Sequence, residues 1–223
     1  MDNLFMIREK VRELYASHSK IFDKAIQFVV AFLTFYMINS NVGFMKMAAS
    51  PLVTLALSVI CTFLPMTLTV IAASALMLAH MFSVSLSVFI VTALVFLIMY
   101  IFYFRLAPKM ALALLLTPIA FMLKIPYVIP VAYGLMSVPV SLAAISCGTI
   151  IYYIMQYVKK AAPGLDGKGG AGLLAEITAY LKQVFQNKEM WIYIVAFIIG
   201  FFVVYTIRRR ELDHAWKIGI IAG

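Results

Sequence analysis

Residues 105–153 read RLAPKMALALLLTPIAFMLKIPYVIPVAYGLMSVPVSLAAISCGTIIYY, an apolar stretch that proline interrupts repeatedly. Proline removes a backbone donor and kinks or ends a helix. In lipid, such broken backbone is tolerated only where protein or a water-filled cavity covers it. The stretch therefore predicts a re-entrant hairpin or a discontinuous helix, a device that forms substrate sites in transporters. It holds five of the eight prolines of the chain: Pro108, Pro118, Pro126, Pro130 and Pro139.

The composition of the whole chain is that of an integral membrane protein. Hydrophobic residues make up 65% of the 223 residues, charged residues 12%, and the mean hydropathy is +1.02. Soluble domains contain roughly 45–50% apolar and about 25% charged residues. We therefore predict an all-α, polytopic bundle of transmembrane helices; the resemblances described below imply that its membrane is a bacterial inner membrane.

The distribution of charge excludes several classes of function. No Asp or Glu occurs between Ala25 and Leu165. Carboxylates inside membranes mark proton relays and cation pathways, and paired carboxylates or oxygen ligands are needed for glycoside hydrolysis and for Ca²⁺ or Mg²⁺ sites. No nucleophile–base pair stands out either. We expect a protein that is not an enzyme, with no metal and no cofactor.

The chain divides into four regions. Residues 1–24 have an apolar stripe at helical spacing and many basic residues, which predicts an amphipathic helix in the membrane interface. Residues 25–158 form the membrane helix bundle, with the re-entrant segment near 108–130. A Gly-rich linker and a second amphipathic helix occupy 159–190, and 191–223 hold the last span and a basic cytoplasmic tail.

The apolar segments differ in their ability to cross a bilayer. Met110–Leu123 gives only about 21 Å of helix, less than the roughly 30 Å of the hydrocarbon core. Pro65 joins two short segments, which form either a tight hairpin or one kinked helix. The predicted segments are Ala25–Met45, Pro51–Phe63, Met66–Phe82, Leu86–Phe104, Met110–Leu123, a long helix over Val131–Val158 bent at Pro139, and Trp191–Ile207.

The basic residues at the two ends of the chain favour cytoplasmic termini. An even number of crossings is then required, so one of the seven apolar segments is re-entrant or fused with its neighbour. We choose Met110–Leu123 as the re-entrant segment because it is the shortest and most broken. The rival arrangement has seven crossings and places Arg208–Arg210 outside, against the charge rule.

Cationic and neutral groups near the broken stretch are the candidates for recognition. Half-helix N-termini and a lysine at the tip of the hairpin favour an anionic group such as a lipid phosphate. Asn39 and Asn41 either hydrogen-bond a neighbouring helix or mark the outer end of the first span. The candidate residues along a substrate path are Lys124, Arg105, Pro118, Pro126, Pro130, Tyr133, Gly134 and Pro139.

One part of the stretch resembles a known family. Ile125-Pro126, Tyr133-Gly134-Leu135, Pro139, Gly148 and Tyr152-Tyr153 are similar in pattern to the second re-entrant hairpin of the DedA/VTT membrane proteins. The resemblance covers residues 125–153 and implies the movement of lipids across bilayers. The acidic residue and the arginines of that family's hairpins have no counterpart here. The remainder resembles polytopic membrane proteins of Gram-positive bacteria.

Two classes of function follow. The first is a transport or permease-type subunit that moves a lipid or a small anionic or neutral solute. The alternative is a non-catalytic membrane subunit or scaffold of a larger multi-protein or homo-oligomeric envelope assembly. The expected partners are membrane lipids and either other membrane subunits or further copies of this chain. The net charge of +9 fits a cytoplasmic face on anionic lipid, so nucleic acid is not expected.

Overall fold

The computed structural model of the chain describes residues 2–165, 173–210 and 215–223. Within these residues all regular structure is helical, which confirms the predicted all-α class. The helices are α1 Asp2–Val42, α2 Pro51–Phe63, α3 Met66–Val84, α4 Leu86–Leu106, α5 Ala111–Met122, α6 Val128–Met136, α7 Ser141–Leu165, α8 Leu173–Phe185, α9 Lys188–Arg208 and α10 Ala215–Ala222.

Five stretches of helix are long and apolar enough to cross a membrane, judged by length and composition. The helices α2 and α5 are apolar but shorter, with 13 and 12 residues. Together these elements form the membrane helix bundle that the composition predicts. The five long stretches are Ser17–Val42, Met66–Val84, Leu86–Leu106, Ser141–Ala161 and Ile177–Arg208.

Helices α1, α2 and α3 pack as an antiparallel series. The Lys24 ammonium donates to the carbonyl oxygen of Thr62 over 2.7 Å, near the end of α2. Towards the other end of α1, the Asn39 amide donates to the hydroxyl of Thr54, also over 2.7 Å. Pro65 lies between α2 and α3 with extended backbone. The two short segments joined at Pro65 are therefore separate helices of a hairpin, not one kinked helix.

Helices α3 and α4 are antiparallel as well. The rings of Phe82 and Phe89 meet edge to face at 5.5 Å, close to the connection between the two helices. Farther along, Tyr100 donates to the carbonyl oxygen of Val70 and hydrogen-bonds Ser74. The last turn of α4 therefore lies at the same end of the bundle as the α2–α3 connection. We name this end the Arg105 end, and the opposite end the Lys124 end.

Helices α5 and α6 form a hairpin inside the bundle. The residue before α5 and the residue after α6 form the base of this hairpin, where the Ser137 hydroxyl contacts the sulfur of Met110 at 3.7 Å. Its tip is at Lys124, and Asn41, in the last turn of α1, contacts Met122 just before the tip. A helix of 12 residues is about 18 Å long, so each helix of the hairpin is shorter than the roughly 30 Å of the hydrocarbon core. The prolines of residues 105–153 predicted this division into two short helices.

One predicted element is wrong. The chain does not form a single bent helix over Val131–Val158, because α6 ends at Met136 and α7 begins at Ser141. Ser137 has extended backbone, with φ −121° and ψ −168°, and the proline ring of Pro139 disfavours helical backbone at the residue before it. The Pro139 site breaks the helix completely instead of bending it.

Helix α9 packs along α6 and returns the chain to the Arg105 end. Gly134 on α6 lies against Phe201 and Val204 of α9. Arg208 lies beside Met110 and Met136, at the base of the hairpin. Helix α10 then packs back on α9 and α6. In the described residues the chain runs between the two ends through α1, α2, α3, α4, α7 and α9, and the α5–α6 hairpin, between α4 and α7, runs from the Arg105 end to the Lys124 end and back.

Candidate functional site

A cleft of about 980 Å³ opens at the Lys124 end of the bundle. Three parts of the chain form its walls: the tip of the α5–α6 hairpin, the second half of α7, and the turn between α8 and α9. The lining residues are Phe121, Lys124, Pro126 and Tyr127 from the hairpin, Tyr152, Tyr153, Gln156, Tyr157 and Lys160 from α7, and Ala179, Lys182, Gln183, Gln186, Asn187, Glu189 and Tyr193 from α8 and α9.

The floor of the cleft is aromatic. Phe121 lies at its centre, stacked on Tyr152 with ring centroids 4.5 Å apart and edge to face with Tyr193 at 5.0 Å. Tyr153 and Tyr127 complete the group, at 6.0 Å from Phe121 and 5.9 Å from Tyr193 respectively. We name these five rings the aromatic floor. Such offset and edge contacts are each worth about 0.5–1.5 kcal/mol beyond the area that they bury, so the floor holds hairpin, α7 and α9 together.

Three lysines surround this floor, one from each wall. Lys124, Lys160 and Lys182 come from the hairpin tip, α7 and α8, and all three are exposed. Among the side chains that the structure describes, none forms a hydrogen bond or an ion pair with these three ammonium groups. Among the lining residues that the structure describes, one carries a carboxylate, Glu189 in the first turn of α9. The described walls thus carry more positive than negative charge.

Lys124 owes its position to the way in which α5 ends. Its φ of 60° lies in the left-handed region, where glycine is the usual residue. The amide of Lys124 donates to the carbonyl of Phe121 over 3.1 Å, and the amide of Ile125 to that of Ala120 over 2.9 Å. These two bonds make a Schellman motif, and Pro126 then prevents α5 from continuing. The motif directs the chain back into α6 and leaves Lys124 at the tip.

The adjacent lysines of α7 have different surroundings. Lys160 lines the cleft, whereas the Lys159 ammonium donates to the side-chain carbonyl of Asn41 over 3.1 Å. The Asn41 amide donates in turn to the Met37 carbonyl and contacts the sulfur of Met122. Asn41 therefore joins α1, α5 and α7 beside the cleft. The sequence left two alternatives open for the asparagines, and Asn41 follows the one in which the side chain hydrogen-bonds a neighbouring helix.

Asn39 has a separate structural role. Its side-chain oxygen lies 2.8 Å from Nε2 of His80, and the amide of Met45 donates to Nδ1 of the same ring over 3.2 Å. Nε2 therefore carries the proton and donates it to Asn39. The Asn39 amide donates to the Ala48 carbonyl and to Thr54. His80 is fully buried, so this network fixes the α1–α2 connection against α3.

The structure brings only two of the eight predicted path residues to the cleft, Lys124 and Pro126. Arg105 lies in the last turn of α4 at the opposite end of the bundle. Pro118 lines a separate apolar cavity of about 40 Å³ among α1, α3, α4, α5 and α7.

The other four predicted residues lie in or after α6. Pro130 is buried near the start of the helix, and Tyr133 is half-buried. Gly134 allows the close approach of α9, because a Cβ there would lie 3.1 Å from the Phe201 carbonyl oxygen. Pro139 lies in the connection to α7. These residues shape the hairpin instead of lining the cleft.

Most of the cleft was missed from the sequence. Tyr152, Lys160 and Lys182 lie far from Lys124 along the chain, and no local spacing joins them. One feature of the sequence could have indicated the cleft. In the arrangement with six predicted crossings, the end of α7 and the start of α9 lie at the same end as the hairpin tip. Tyr152-Tyr153 and Trp191-Ile192-Tyr193 would then share one level of the membrane.

The cleft combines aromatic rings, ammonium groups, carboxamides and one described carboxylate, groups that can bind a polar or anionic ligand. No protein-family model, curated protein or solved structure matches the chain, so the resemblance of residues 125–153 to DedA/VTT proteins stays a prediction.

Proposed function

We propose that this chain is a transport or permease-type membrane subunit, and that the cleft at the Lys124 end binds the lipid or solute that it moves. The observation that supports this is the convergence of three lysines from separate elements on one aromatic floor. A lysine in left-handed backbone is strained, and such strain is typical of functional sites. A scaffold needs neither the cleft nor the strain.

The interrupted hairpin supplies the moving part in this proposal. Transporters bind substrate where helices are discontinuous, and they alternate access by moving one group of helices against another. The cleft and the apolar cavity beside Pro118 share no lining residue. Passage towards the Arg105 end therefore requires the hairpin to shift against α7, where Thr117 and Gly148 are in close contact.

We further propose that the Arg105 end faces the cytoplasm. It holds Arg105, Lys109 and the Arg208–Arg210 cluster, and Lys24 lies at the same end. Basic residues close to spans are retained on the cytoplasmic side. In this orientation the end of α9 is cytoplasmic and the cleft opens on the outer face of the cell membrane.

Reconstitution into liposomes tests the proposal. Purified protein is assayed for the scrambling of fluorescent phospholipid and for the flux of labelled phosphate esters. Lys124→Gln removes one positive charge from the cleft. We expect it to lower about tenfold whichever of the two processes the unmodified protein catalyses, lipid scrambling or phosphate-ester flux, since one charged hydrogen bond contributes about 1.5–3 kcal/mol. Lys46→Gln is the matched control, because Lys46 is exposed and lies outside the cleft.

The opposite result favours the second class of function. Liposomes with and without the protein would then show the same flux, and gentle extraction from native membranes would yield further subunits in a fixed ratio. Equal losses for Lys124→Gln and Lys46→Gln would also contradict the proposal, because surface charge in general would then explain the effect.

A further inference from the structure

We infer that the ligand of the cleft is a phosphorylated polyol, a phosphate ester whose remaining part carries free hydroxyl groups. This inference rests on the proposed function, since it names the chemical class that the same cleft would accept. Three independent features of the walls support it: the number of ammonium groups, the supply of neutral polar groups, and the aromatic floor.

The ammonium groups indicate the phosphate. Lys124, Lys160 and Lys182 line the same cleft from three elements, so an anion bound there is attracted from more than one wall. A lysine ammonium binds phosphate as a compact point charge with three donors. None of the three is engaged by another described side chain, so no interaction among the described residues must break before the anion binds.

The neutral groups indicate hydroxyls beside that phosphate. The Gln156 amide donates to the hydroxyl of Tyr152 over 3.1 Å, so the hydroxyl proton of Tyr152 remains free to donate to a ligand. Gln183 and Gln186 add carboxamides that both donate and accept. Glu189 accepts hydrogen bonds from hydroxyls and repels a second anionic group. Inorganic phosphate alone would leave these groups unused.

The aromatic floor contributes contact with carbon. Phe121 and Tyr127 present rings to the cleft, and ring faces pack against the C–H groups of a polyol backbone. Rings of this type gather at the membrane–water interface, at the level of lipid headgroups. The same chemistry therefore has two sources: the headgroup of a lipid such as phosphatidylglycerol, or a water-soluble ester such as glycerol 3-phosphate.

Binding measurements separate these sources without any flux assay. The purified full chain is titrated calorimetrically with glycerol 3-phosphate, inorganic phosphate and glycerol. In parallel, native mass spectrometry counts phosphatidylglycerol or diacylglycerol retained from nanodiscs of defined composition. We expect the phosphorylated polyol to bind at least tenfold more tightly than phosphate or glycerol. Retention of phosphatidylglycerol without binding of glycerol 3-phosphate would identify the lipid as the source.

Variants then locate the binding. Lys160→Gln with Lys182→Gln is expected to weaken binding of the phosphorylated polyol at least tenfold, and Tyr152→Phe about threefold to tenfold. Lys188→Gln is the control, because Lys188 is exposed next to Glu189 but does not line the cleft. Equal binding of phosphate and glycerol 3-phosphate, no binding of any phosphorylated probe, or equal losses in the cleft and control variants would overturn the inference. Binding without flux would instead leave the inference standing and reject the proposed transport.

Discussion

Lys124 shows at the scale of one residue how stability and binding oppose each other. Its φ of 60° costs a residue with a side chain about 1–2 kcal/mol relative to glycine. Lys124→Gly is therefore expected to raise the unfolding temperature of the purified protein in detergent, while it lowers the affinity of the cleft for its ligand. Differential scanning fluorimetry measures the first effect and calorimetric titration the second.

Lys124→Asn provides the control for this prediction. Asparagine tolerates left-handed backbone better than most residues, so the variant should keep or slightly raise the unfolding temperature and still lose the charge. A Lys124→Gly protein that unfolds at a lower temperature would show that the side chain contributes to stability, and the strain argument for a binding role would fail.

The contact between Asn39 and His80 gives a second prediction at the residue scale. His80 is fully buried and its Nε2 lies 2.8 Å from the Asn39 oxygen. Asn39→Leu leaves this donor without its acceptor, which costs about 1–3 kcal/mol. His80→Leu leaves the Asn39 side-chain oxygen without its donor. We expect the double variant to be less destabilised than the sum of the two single variants, since it removes both the donor and the acceptor of this hydrogen bond.

Thermal unfolding of the four proteins in one detergent measures this double-mutant cycle. Additive effects would mean that the two side chains act independently, and the hydrogen bond would then not account for the burial of His80. The network lies outside the cleft, so none of these variants is expected to change the affinity of the cleft for its ligand.

At the scale of helices, the hairpin depends on close contact between α5 and α7. A Cβ at Gly148 would lie 2.7 Å from Thr117 Cβ and 2.8 Å from the Leu114 carbonyl oxygen. Gly148→Ala therefore forces the two helices apart, and overpacking of this kind costs about 1–3 kcal/mol. We expect a lower unfolding temperature and reduced flux, because α5 of the moving hairpin is displaced.

Gly200 is the matched glycine for this test. It also lies inside a helix, but a Cβ there meets nothing within 4 Å. Gly200→Ala should be neutral or stabilising by about 0.5–1 kcal/mol, because alanine restricts the unfolded chain more than glycine does. If Gly148→Ala and Gly200→Ala had the same free energy of unfolding, the contact between α5 and α7 would not require glycine at residue 148.

The helices were predictable from the sequence to the extent that local chemistry controls them. The short segment before Lys124 and its prolines predicted the hairpin, because proline acts through its own ring and missing donor. The break at Pro139 was underestimated, since a proline in an apolar run can kink a helix or end it. Pairing of α7 with the hairpin depends on the close approach at Gly148, and no helical periodicity reports which helix faces it.

The cleft was less predictable for the same reason. Lys124 stood out because it interrupts an apolar stretch, whereas Lys160 looked like the ordinary end of a span. Its different surroundings from Lys159 follow from the packing of α1 beside α7, through Asn41. A single sequence shows the charge of each lysine but not the partner that the fold gives it.

Basic residues lie at both ends of the molecule, and the proposed orientation of these two ends gives the last prediction. Arg208 and Arg209 lie with Met110 at the Arg105 end, whereas the hairpin tip, Lys159 and Asn41 lie together at the other. The two native cysteines, Cys61 and Cys147, are free and buried. A cysteine introduced at an exposed position is therefore expected to be the main target of a membrane-impermeant maleimide.

Four exposed positions test the arrangement, two at each end: Lys109 and Arg210, then Lys46 and Lys188. In intact spheroplasts we expect the maleimide to label Lys46→Cys and Lys188→Cys, and to label Lys109→Cys and Arg210→Cys only after the membrane is permeabilised. Labelling of all four from one side would contradict the placement of the two ends on opposite sides of the membrane. The reverse labelling pattern would still place the two ends on opposite sides of the membrane, but with the opposite orientation of the protein. The cleft would then open to the cytoplasm. The excess of Lys and Arg near the spans would then have identified the wrong end as cytoplasmic. The phosphorylated ligand would in that case be sought inside the cell.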